Sequence, residues 1–197
     1  MSAQIAAVAV FCGSRFGNLP AYREAAEAMG AGLARAGIHL IYGGGYVGLM
    51  GAVADAAIAA GGTVTGIIPE FLEAREVMHR GITTLVVTTS MHTRKQRMFA
   101  DADAFAILPG GFGTFDEMME IITWKQLQLH AKPILIVNVA NWAAPAIAML
   151  DAAVAQGFAS PEARALVRVV PDVPAALAAI AGTERSTMEK EGSVARL

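Results

Sequence analysis

The residues whose types and spacing could do chemistry lie in two short stretches of this 197-residue chain. Residues 109–117, with the sequence PGGFGTFDE, combine three glycines with two carboxylates. Residues 91–95, with the sequence MHTRK, place Arg94 beside Lys95. Glycine lets a ligand approach the backbone closely, cationic side chains bind phosphate, and a carboxylate can stabilise positive charge or activate water. These residue types predict a site for a phosphorylated substrate.

The glycine-rich stretch connects the end of a predicted strand to the start of a predicted helix. Residues 104–108 form a short apolar run typical of a buried strand, and residues 117–122 have helical spacing. The first turn of a helix has unpaired N–H groups and the positive end of the helix dipole, which together favour an anion. A second interpretation needs no ligand, because Thr114 and Glu117 have the spacing of a capping box. In both interpretations Glu117 is expected in the first helical turn.

Apolar runs alternate with helical segments along the chain, which predicts an α/β protein. We expect one Rossmann-like domain, a doubly wound parallel sheet with helices on both faces. The predicted strands are residues 5–11, 38–42, 63–68, 82–87, 104–108, 134–137 and 166–170. The predicted helices are residues 21–36, 49–60, 91–100, the segment from the glycine stretch to about 129, 144–155 and 173–181.

The domain is expected to span residues 1–182. Residues 183–197 are polar, with little apolar spacing, which predicts a disordered tail. Residues 69–81 are irregular and charged, and we expect an exposed lid or short helix there. Ligands bind at the carboxyl ends of the strands of such a sheet. Three of the predicted ends carry loops with glycine, at residues 12–14, 43–45 and 110–113, so the loops should converge on one crevice.

Composition narrows the classes of function. The net charge of −2 and the lack of a basic run argue against a nucleic-acid partner. Cys12 is the only cysteine, which excludes an intramolecular disulfide and a cysteine-rich zinc site, and the histidines have no paired spacing for a metal. No basic leader and no apolar run of about 20 residues is present, so we expect a cytoplasmic protein that does not enter a membrane.

The two motifs also carry a family resemblance. Residues 109–117 resemble the PGGxGTxxE motif of the LONELY GUY family, the cytokinin riboside 5′-monophosphate phosphoribohydrolases long labelled as possible lysine decarboxylases. Residues 91–95 match the family's second signature, a Met-His followed by Arg-Lys, and residues 12–14, 42–51 and 122–124 resemble further family segments in the same order. The resemblance covers roughly residues 8–139. It implies hydrolysis of the N-glycosidic bond of a nucleoside 5′-monophosphate, releasing free base and ribose 5-phosphate, without a metal or cofactor.

The resemblance also implies roles for individual residues. Arg94 and Glu117 match the catalytic pair. The matched substrate-binding positions are Lys95, Gly111, Gly113, Thr114 and Thr123, with Glu76 added only if residues 69–81 align without a gap. The crevice and the motifs add Ser14, Gly44, Gly45, Met91, Gly110 and Phe112 as substrate-binding candidates. The helix after the glycine stretch is apolar enough to be partly buried in a homodimer, which the resemblance also implies.

The chemistry fits these two residues but leaves their individual roles open. Cleaving a ribosyl C–N bond builds positive charge on the sugar, and a carboxylate such as Glu117 can either stabilise this charge or activate water. Arg94 could hold the 5′-phosphate or stabilise the departing base. Sequence alone does not choose between these roles.

Three other functions are alternatives to this hydrolysis. One is a broader hydrolase acting mainly on AMP, and another is a nucleotide or cofactor carrier that binds without turnover. Lysine decarboxylation is rejected, because pyridoxal phosphate needs a Schiff-base lysine and a partner for its ring nitrogen. Lys95 is the only lysine near the predicted phosphate site.

Overall fold

The computed structural model describes residues 4–72 and 78–183. Within them the strands form one seven-stranded sheet in the order β4-β3-β2-β1-β5-β6-β7, and every paired neighbour is parallel. The strands are β1 (Ala7–Phe11), β2 (His39–Tyr42), β3 (Val64–Pro69), β4 (Thr84–Thr88), β5 (Ala104–Ile107), β6 (Ile134–Val137) and β7 (Arg168–Val170). The predicted doubly wound parallel sheet is confirmed.

Helices cover both faces of the sheet. They are α1 (Pro20–Arg35), α2 (Gly48–Ala59), α3 (Met91–Asp101), α4 (Phe112–Gln126), α5 (Ala144–Ala155), α6 (Pro161–Arg164) and α7 (Val173–Ala181). One apolar core lies between the sheet and α1, α2 and α7, and a second lies between the sheet and α3, α4 and α5. The two cores explain why the central strands are apolar throughout, since both of their faces are buried.

Strand β1 shows how the sequence builds both cores. Successive side chains of a strand point to opposite faces, and Val8 and Val10 enter the first core while Ala9 and Phe11 enter the second. Strand β5 repeats the alternation. The strand order reverses direction between these two strands, so the crevice at their carboxyl ends is the expected ligand site of the fold.

The structure differs from the sequence prediction in a few places. The short helix α6 was not predicted; its N-terminus is capped by the Ser160 hydroxyl, which accepts from the Ala163 N–H at 3.2 Å. Helix α4 ends at Gln126 rather than near residue 129, because Gln128 takes a left-handed φ of 59° that no helix continues. Strand β3 extends to Pro69, one residue beyond its predicted end, and Pro69 pairs with Thr88 of the edge strand β4.

Two predicted segments include residues outside the described ranges. Of residues 69–81, the described part contains a 3₁₀ turn at Glu70–Leu72 and a bridge between Met78 and Gly45. Of the predicted tail, only Thr183 is described; its hydroxyl donates to the Ala179 carbonyl at 2.7 Å and so extends the end of α7. Among the described residues, no helix is both long and apolar enough to cross a membrane.

His130 is held in its neutral form inside the second core. Its ring packs against Phe99 and Phe105, its Nε2–H donates to the Ile121 carbonyl at 2.9 Å, and its Nδ1 accepts from the Lys132 N–H at 3.1 Å. Burial, followed by the nearby lysine charges, lowers the pKa of His130 to about 4. The unfolded chain, with a histidine pKa of about 6.5, therefore binds more protons than the folded chain between these values.

We expect the free energy of unfolding to fall as pH falls from about 6.5 towards 4, because protonation of His130 favours the unfolded state. His130→Asn should flatten this part of the pH dependence, measured by urea denaturation at several pH values. His92→Asn, at an exposed histidine, is the matched control and should keep the wild-type slope. Equal slopes in the wild type and His130→Asn would contradict the expectation.

Candidate active site

Three loops meet at the carboxyl ends of β1, β2 and β5. The Gly13 N–H donates to the Pro109 carbonyl at 2.9 Å, and the Gly13 carbonyl accepts from the Leu49 N–H at 3.0 Å. Gly48 takes a left-handed φ of 60°, and a Cβ there would overlap the backbone at Ser14. Glycine is therefore required where the loop before α2 crosses the loop after β1. The predicted convergence of the loops is confirmed.

The loops enclose a cleft of about 170 Å³. Its floor is the end of β1, one wall is the first turn of α4, and the opposite wall is formed by α3 and the loop after β2. The lining residues are Val10, Phe11, Cys12, Gly13, Ser14, Gly43, Met50, Met91, Arg94, Gly111, Phe112, Gly113, Thr114, Asp116 and Glu117.

Helix α4 begins earlier than the capping-box interpretation requires. Its first residue is Phe112, its N-cap is Gly111, and no side chain caps it. Thr114 is thus the third helical residue and Glu117 the sixth, so the capping-box interpretation is wrong, and Glu117 lies in the second turn rather than the first. The free N–H groups of the first turn remain available to an anion in the cleft.

Arg94 is fixed by the backbone of two neighbouring strand ends. The N-terminus of α3 is set by a capping box in which Ser90 and Thr93 exchange backbone-to-side-chain bonds of 3.1 and 3.2 Å. From the first turn of this helix, the Arg94 Nε donates to the Ile67 carbonyl at 3.0 Å and its Nη2 to the Gly43 carbonyl at 3.4 Å. A Cβ on Gly43 would overlap this guanidinium, which explains the glycine.

Arg94 and Glu117 face each other across the cleft. The Arg94 Nη1 lies 3.5 Å from the Glu117 Oε1, and the two residues are only 6% and 8% exposed. A buried charge is costly unless it is paired, and each of these residues lies beside a group of opposite charge. The structure therefore brings the two predicted catalytic residues together at the edge of the open helix N-terminus.

Lys95 does not line the cleft, and its side chain extends to α4. Its Nζ lies 2.8 Å from the Asp116 Oδ2 and 3.2 Å from the Glu120 Oε2. Burial lowers the pKa of Lys95, but the hydrogen bonds and charges of the two carboxylates outweigh it, so the pKa lies above its ordinary value. A Schiff-base lysine must lose its proton. The surroundings of Lys95 are therefore unsuited to the decarboxylase chemistry rejected above, and its substrate-binding role stays a prediction.

Most of the other predicted binding residues line the cleft. Ser14, Met91 and Thr114 line the cleft together with Gly111, Phe112 and Gly113. Gly110 lies behind them, where a Cβ would overlap the Thr114 hydroxyl.

Like Lys95 and Gly110, three further predicted binding residues, Gly44, Gly45 and Thr123, do not line the cleft. Gly44, with a φ of 79°, packs against the backbone of β3, and Gly45 bridges to Met78. Thr123 lies on the exposed face of α4, where its hydroxyl donates to the Met119 carbonyl at 2.8 Å. Glu76 lies outside the described residues. The binding roles of Gly44, Gly45, Thr123 and Glu76 stay predictions.

Several lining residues are not among the predicted site residues. Gly13 and Gly43 belong to the predicted glycine loops, so the loop positions were the available signal. Met50 lies within residues 42–51, so the family resemblance of this segment was the available signal. Burial and then the charge of Glu117 raise the pKa of the Cys12 thiol, so this buried thiol is unsuited to act as a nucleophile.

A second, larger chamber adjoins the cleft on the other side of the glycine turn. It holds about 510 Å³ and shares Gly13, Ser14, Gly111 and Phe112 with the cleft. Its remaining walls are mostly apolar, and they include Phe16, Tyr22, Leu49 and Trp142.

Substitutions at Gly111 and Gly113 can test anion binding at this turn without disturbing the fold. A Cβ at either position would meet no atom within 4 Å, whereas a Cβ on Gly110 would overlap Thr114. We expect Gly113→Ala to stabilise the folded chain by about 0.5–1 kcal/mol, since alanine is the better helix former. The same methyl group would project where an anion approaches the N–H groups, and kcat/KM should fall about tenfold or more.

The matched variant is Gly110→Ala, for which we expect a lower melting temperature because Thr114 must move. Thermal denaturation and steady-state kinetics on both variants make the comparison. A Gly113→Ala protein with unchanged kcat/KM would show that no ligand approaches this turn.

The fold and the site together define a class of protein. It is an α/β protein of Rossmann type with a crevice where the strand order reverses, and in this crevice an open helix N-terminus lies beside a buried arginine–glutamate pair. Comparison with known proteins makes the assignment specific. The model of the family described as "Possible lysine decarboxylase" matches residues 50–180, more than half of the chain. The chain belongs to this family.

Curated relatives share a high proportion of the sequence. A cytokinin riboside 5′-monophosphate phosphoribohydrolase from Rhodococcoides fascians is 44% identical over 174 residues, which is 88% of this chain and 88% of the relative. The enzyme of the same name, LOG2, from Arabidopsis thaliana is 42% identical over 167 residues, which is 85% of this chain and 78% of the relative.

Solved structures share the fold at lower identity. The molybdenum cofactor carrier protein from Chlamydomonas reinhardtii has a TM-score of 0.68 at 20% identity, covering 89% of this chain and 95% of that chain. The molybdenum cofactor binding protein from Rippkaea orientalis has a TM-score of 0.66 at 19% identity, covering 89% and 94%. At these identities the likeness establishes the fold alone.

Proposed function

We propose that this protein is a hydrolase that cleaves the N-glycosidic bond of cytokinin riboside 5′-monophosphates, releasing free base and ribose 5-phosphate. The observation that carries the proposal is the buried pair of Arg94 and Glu117, 3.5 Å apart beside the open first turn of α4. The curated relatives act on this substrate by name, at 44% and 42% identity over most of the chain.

The N-terminus of α4 is suited to the 5′-phosphate. Gly111 and Gly113 leave the cleft side of this turn open, and the backbone N–H groups and helix dipole favour an anion there. A phosphate bound at this turn would place the ribose in the cleft, beside Arg94 and Glu117.

Cleavage then follows from the chemistry of the paired groups. The C1′–N bond breaks, positive charge builds on the ribose ring, and the Glu117 carboxylate stabilises this charge from close range. Water adds to C1′ and gives up a proton, which Glu117 can accept and then return to solvent, while the departing base takes up one proton from solvent on its nitrogen. Arg94 is held by two backbone carbonyls and so fixes Glu117 in position without a change of side-chain conformation.

A carrier without turnover is the candidate from another class. The fold is shared with molybdenum cofactor proteins, but at 20% identity that likeness says nothing about a ligand of this chain. The arginine–glutamate pair favours the enzyme, because a site that only binds an anion does not require a buried carboxylate beside it.

The test is release of free base from N6-isopentenyl-AMP and from AMP, followed by chromatography. We expect release from both and a higher kcat/KM for the isopentenyl substrate. A preference for AMP would support the broader AMP hydrolase. No release from either substrate, with AMP still bound by the folded protein, would overturn the enzyme proposal and support the carrier.

A homodimer and a cytoplasmic location complete the proposal. Leu127, just beyond the end of α4, is 63% exposed, and Phe112 at the start of this helix is 93% exposed, which supports a partner surface along the helix. A nucleotide substrate supports the cytoplasm. Light scattering after size-exclusion chromatography should give twice the monomer mass, and a monomer mass would contradict the dimer.

A further inference from the structure

Trp142 reaches the glycine turn from a distant part of the chain. It follows β6, and its Nε1–H donates to the Gly110 carbonyl at 3.1 Å. Its ring stacks on Phe115 of α4, with centroids 5.4 Å apart and planes 2° from parallel. One side chain therefore contacts both the turn and the helix that the turn begins.

The hydrogen bond to the Gly110 carbonyl also constrains the N–H at the other end of the same peptide group. The peptide bond between Gly110 and Gly111 is trans, so the carbonyl of Gly110 and the N–H of Gly111 point in opposite directions. A donor on the carbonyl therefore sets the direction of the N–H, away from Trp142. Such a donor also polarises the peptide group and strengthens the N–H as a donor.

This peptide group needs an external restraint. It lies between two glycines, which have the widest choice of backbone conformations, so the peptide plane can rotate at low cost. The preceding carbonyl, that of Pro109, is already held by the Gly13 N–H at 2.9 Å. Trp142 holds the next one, and the two bonds together fix the backbone on both sides of Gly110.

Trp142 is itself held by a turn with unusual backbone angles. Ala140 and Asn141 have φ values of 48° and 60°, in the left-handed region that residues other than glycine rarely adopt. The Asn138 side chain supports the turn, since its Oδ1 accepts from the Ala143 N–H at 2.8 Å and its Nδ2 donates to the Asn141 Oδ1 at 3.4 Å. Such conformations persist where the surroundings impose them, and they concentrate near functional sites.

We propose that Trp142 is a positioning residue of the phosphate site: its indole N–H holds the Gly110 carbonyl and thereby aims the Gly111 N–H at the 5′-phosphate of the bound nucleotide. The nature of the ligand rests on the proposed function. The positioning itself rests on the contacts of Trp142 and requires only an anion at this turn.

The test is Trp142→Phe, which keeps an aromatic ring against Phe115 and removes the N–H donor. We expect AMP to bind roughly tenfold more weakly, while the affinity for adenosine, which has no phosphate, stays at the wild-type value. With N6-isopentenyl-AMP as substrate, KM should rise by the same factor with little change in kcat, because the phosphate contact is the same in the ground and transition states. Trp124→Phe, which alters the other tryptophan, packed against Phe99, is the matched control.

A second variant distinguishes the loss of the N–H donor from a change in packing. Benzothienylalanine at position 142 has nearly the shape of tryptophan, with sulfur in place of the N–H, and should reproduce the loss seen with Trp142→Phe. Wild-type affinity for AMP in the benzothienyl protein would overturn the proposal, and so would equal weakening of AMP and adenosine in Trp142→Phe. Failure of the proposed hydrolysis would appear separately, as a wild-type protein that binds AMP and releases no base.

Discussion

Glu117→Gln should reduce release of free base about 1,000-fold or more and leave the protein folded. The amide keeps the size of the side chain but removes the negative charge that would stabilise the ribosyl cation and the basic oxygen that would accept the proton from water. Because Glu117 is only 8% exposed and faces the Arg94 guanidinium, the substitution removes a negative charge from a buried position opposite this cation. Single-turnover assays with N6-isopentenyl-AMP would measure the loss.

The matched control is Glu120→Gln, one helical turn further along α4. Glu120 lies 3.2 Å from Lys95 and does not line the cleft, so this variant should retain base release. Circular dichroism and AMP binding would establish that both variants are folded. Wild-type activity in Glu117→Gln would remove the carboxylate from the mechanism.

Arg94→Ala is expected to lower both activity and stability. The variant leaves the Glu117 carboxylate buried without its cation and takes the donors away from the Ile67 and Gly43 carbonyls. Breaking a buried pair in this way costs about 3 kcal/mol of unfolding free energy, and kcat/KM should fall about 100-fold or more. Urea denaturation and steady-state kinetics would measure the two losses.

Arg94→Lys separates the two effects. Lysine keeps the positive charge but cannot bond both carbonyls and face Glu117 in the fixed geometry of a guanidinium. We expect most of the stability to return while kcat/KM stays well below the wild-type value. Recovery of both quantities would show that Arg94 acts through its charge alone, and recovery of neither would point to a role in folding only.

The strands and the loops that carry the site could be predicted because their signals are local. Strands buried on both faces give apolar runs, as in residues 104–108, and glycines at the strand ends mark where a ligand meets the backbone. The helix start could not be predicted in the same way. Thr114 and Glu117 have the spacing of a capping box, but the open turn at Gly111 lets α4 begin three residues earlier. Only the backbone conformation reveals this difference.

Contacts between residues far apart in the sequence could not be predicted either. The bond from Trp142 ends on a backbone carbonyl 32 residues away, so no residue type at position 110 indicates its partner. Ala140 and Asn141 form a left-handed turn without the glycine that would signal one. The direction of Lys95 was hidden for a similar reason, because its neighbour Arg94 faces the cleft while it faces the carboxylates of α4.

The only cysteine of the chain, Cys12, lines this cleft together with Glu117, the proposed catalytic carboxylate. Burial and the negative charge of Glu117 both raise the pKa of the thiol, so the thiolate is scarcely formed at neutral pH. Oxidants and alkylating agents react with thiolates. Burial, with the charge of Glu117 as the second cause, therefore shields Cys12, and this protein should keep its activity under oxidative stress that would inactivate a protein with an exposed thiol in its active site.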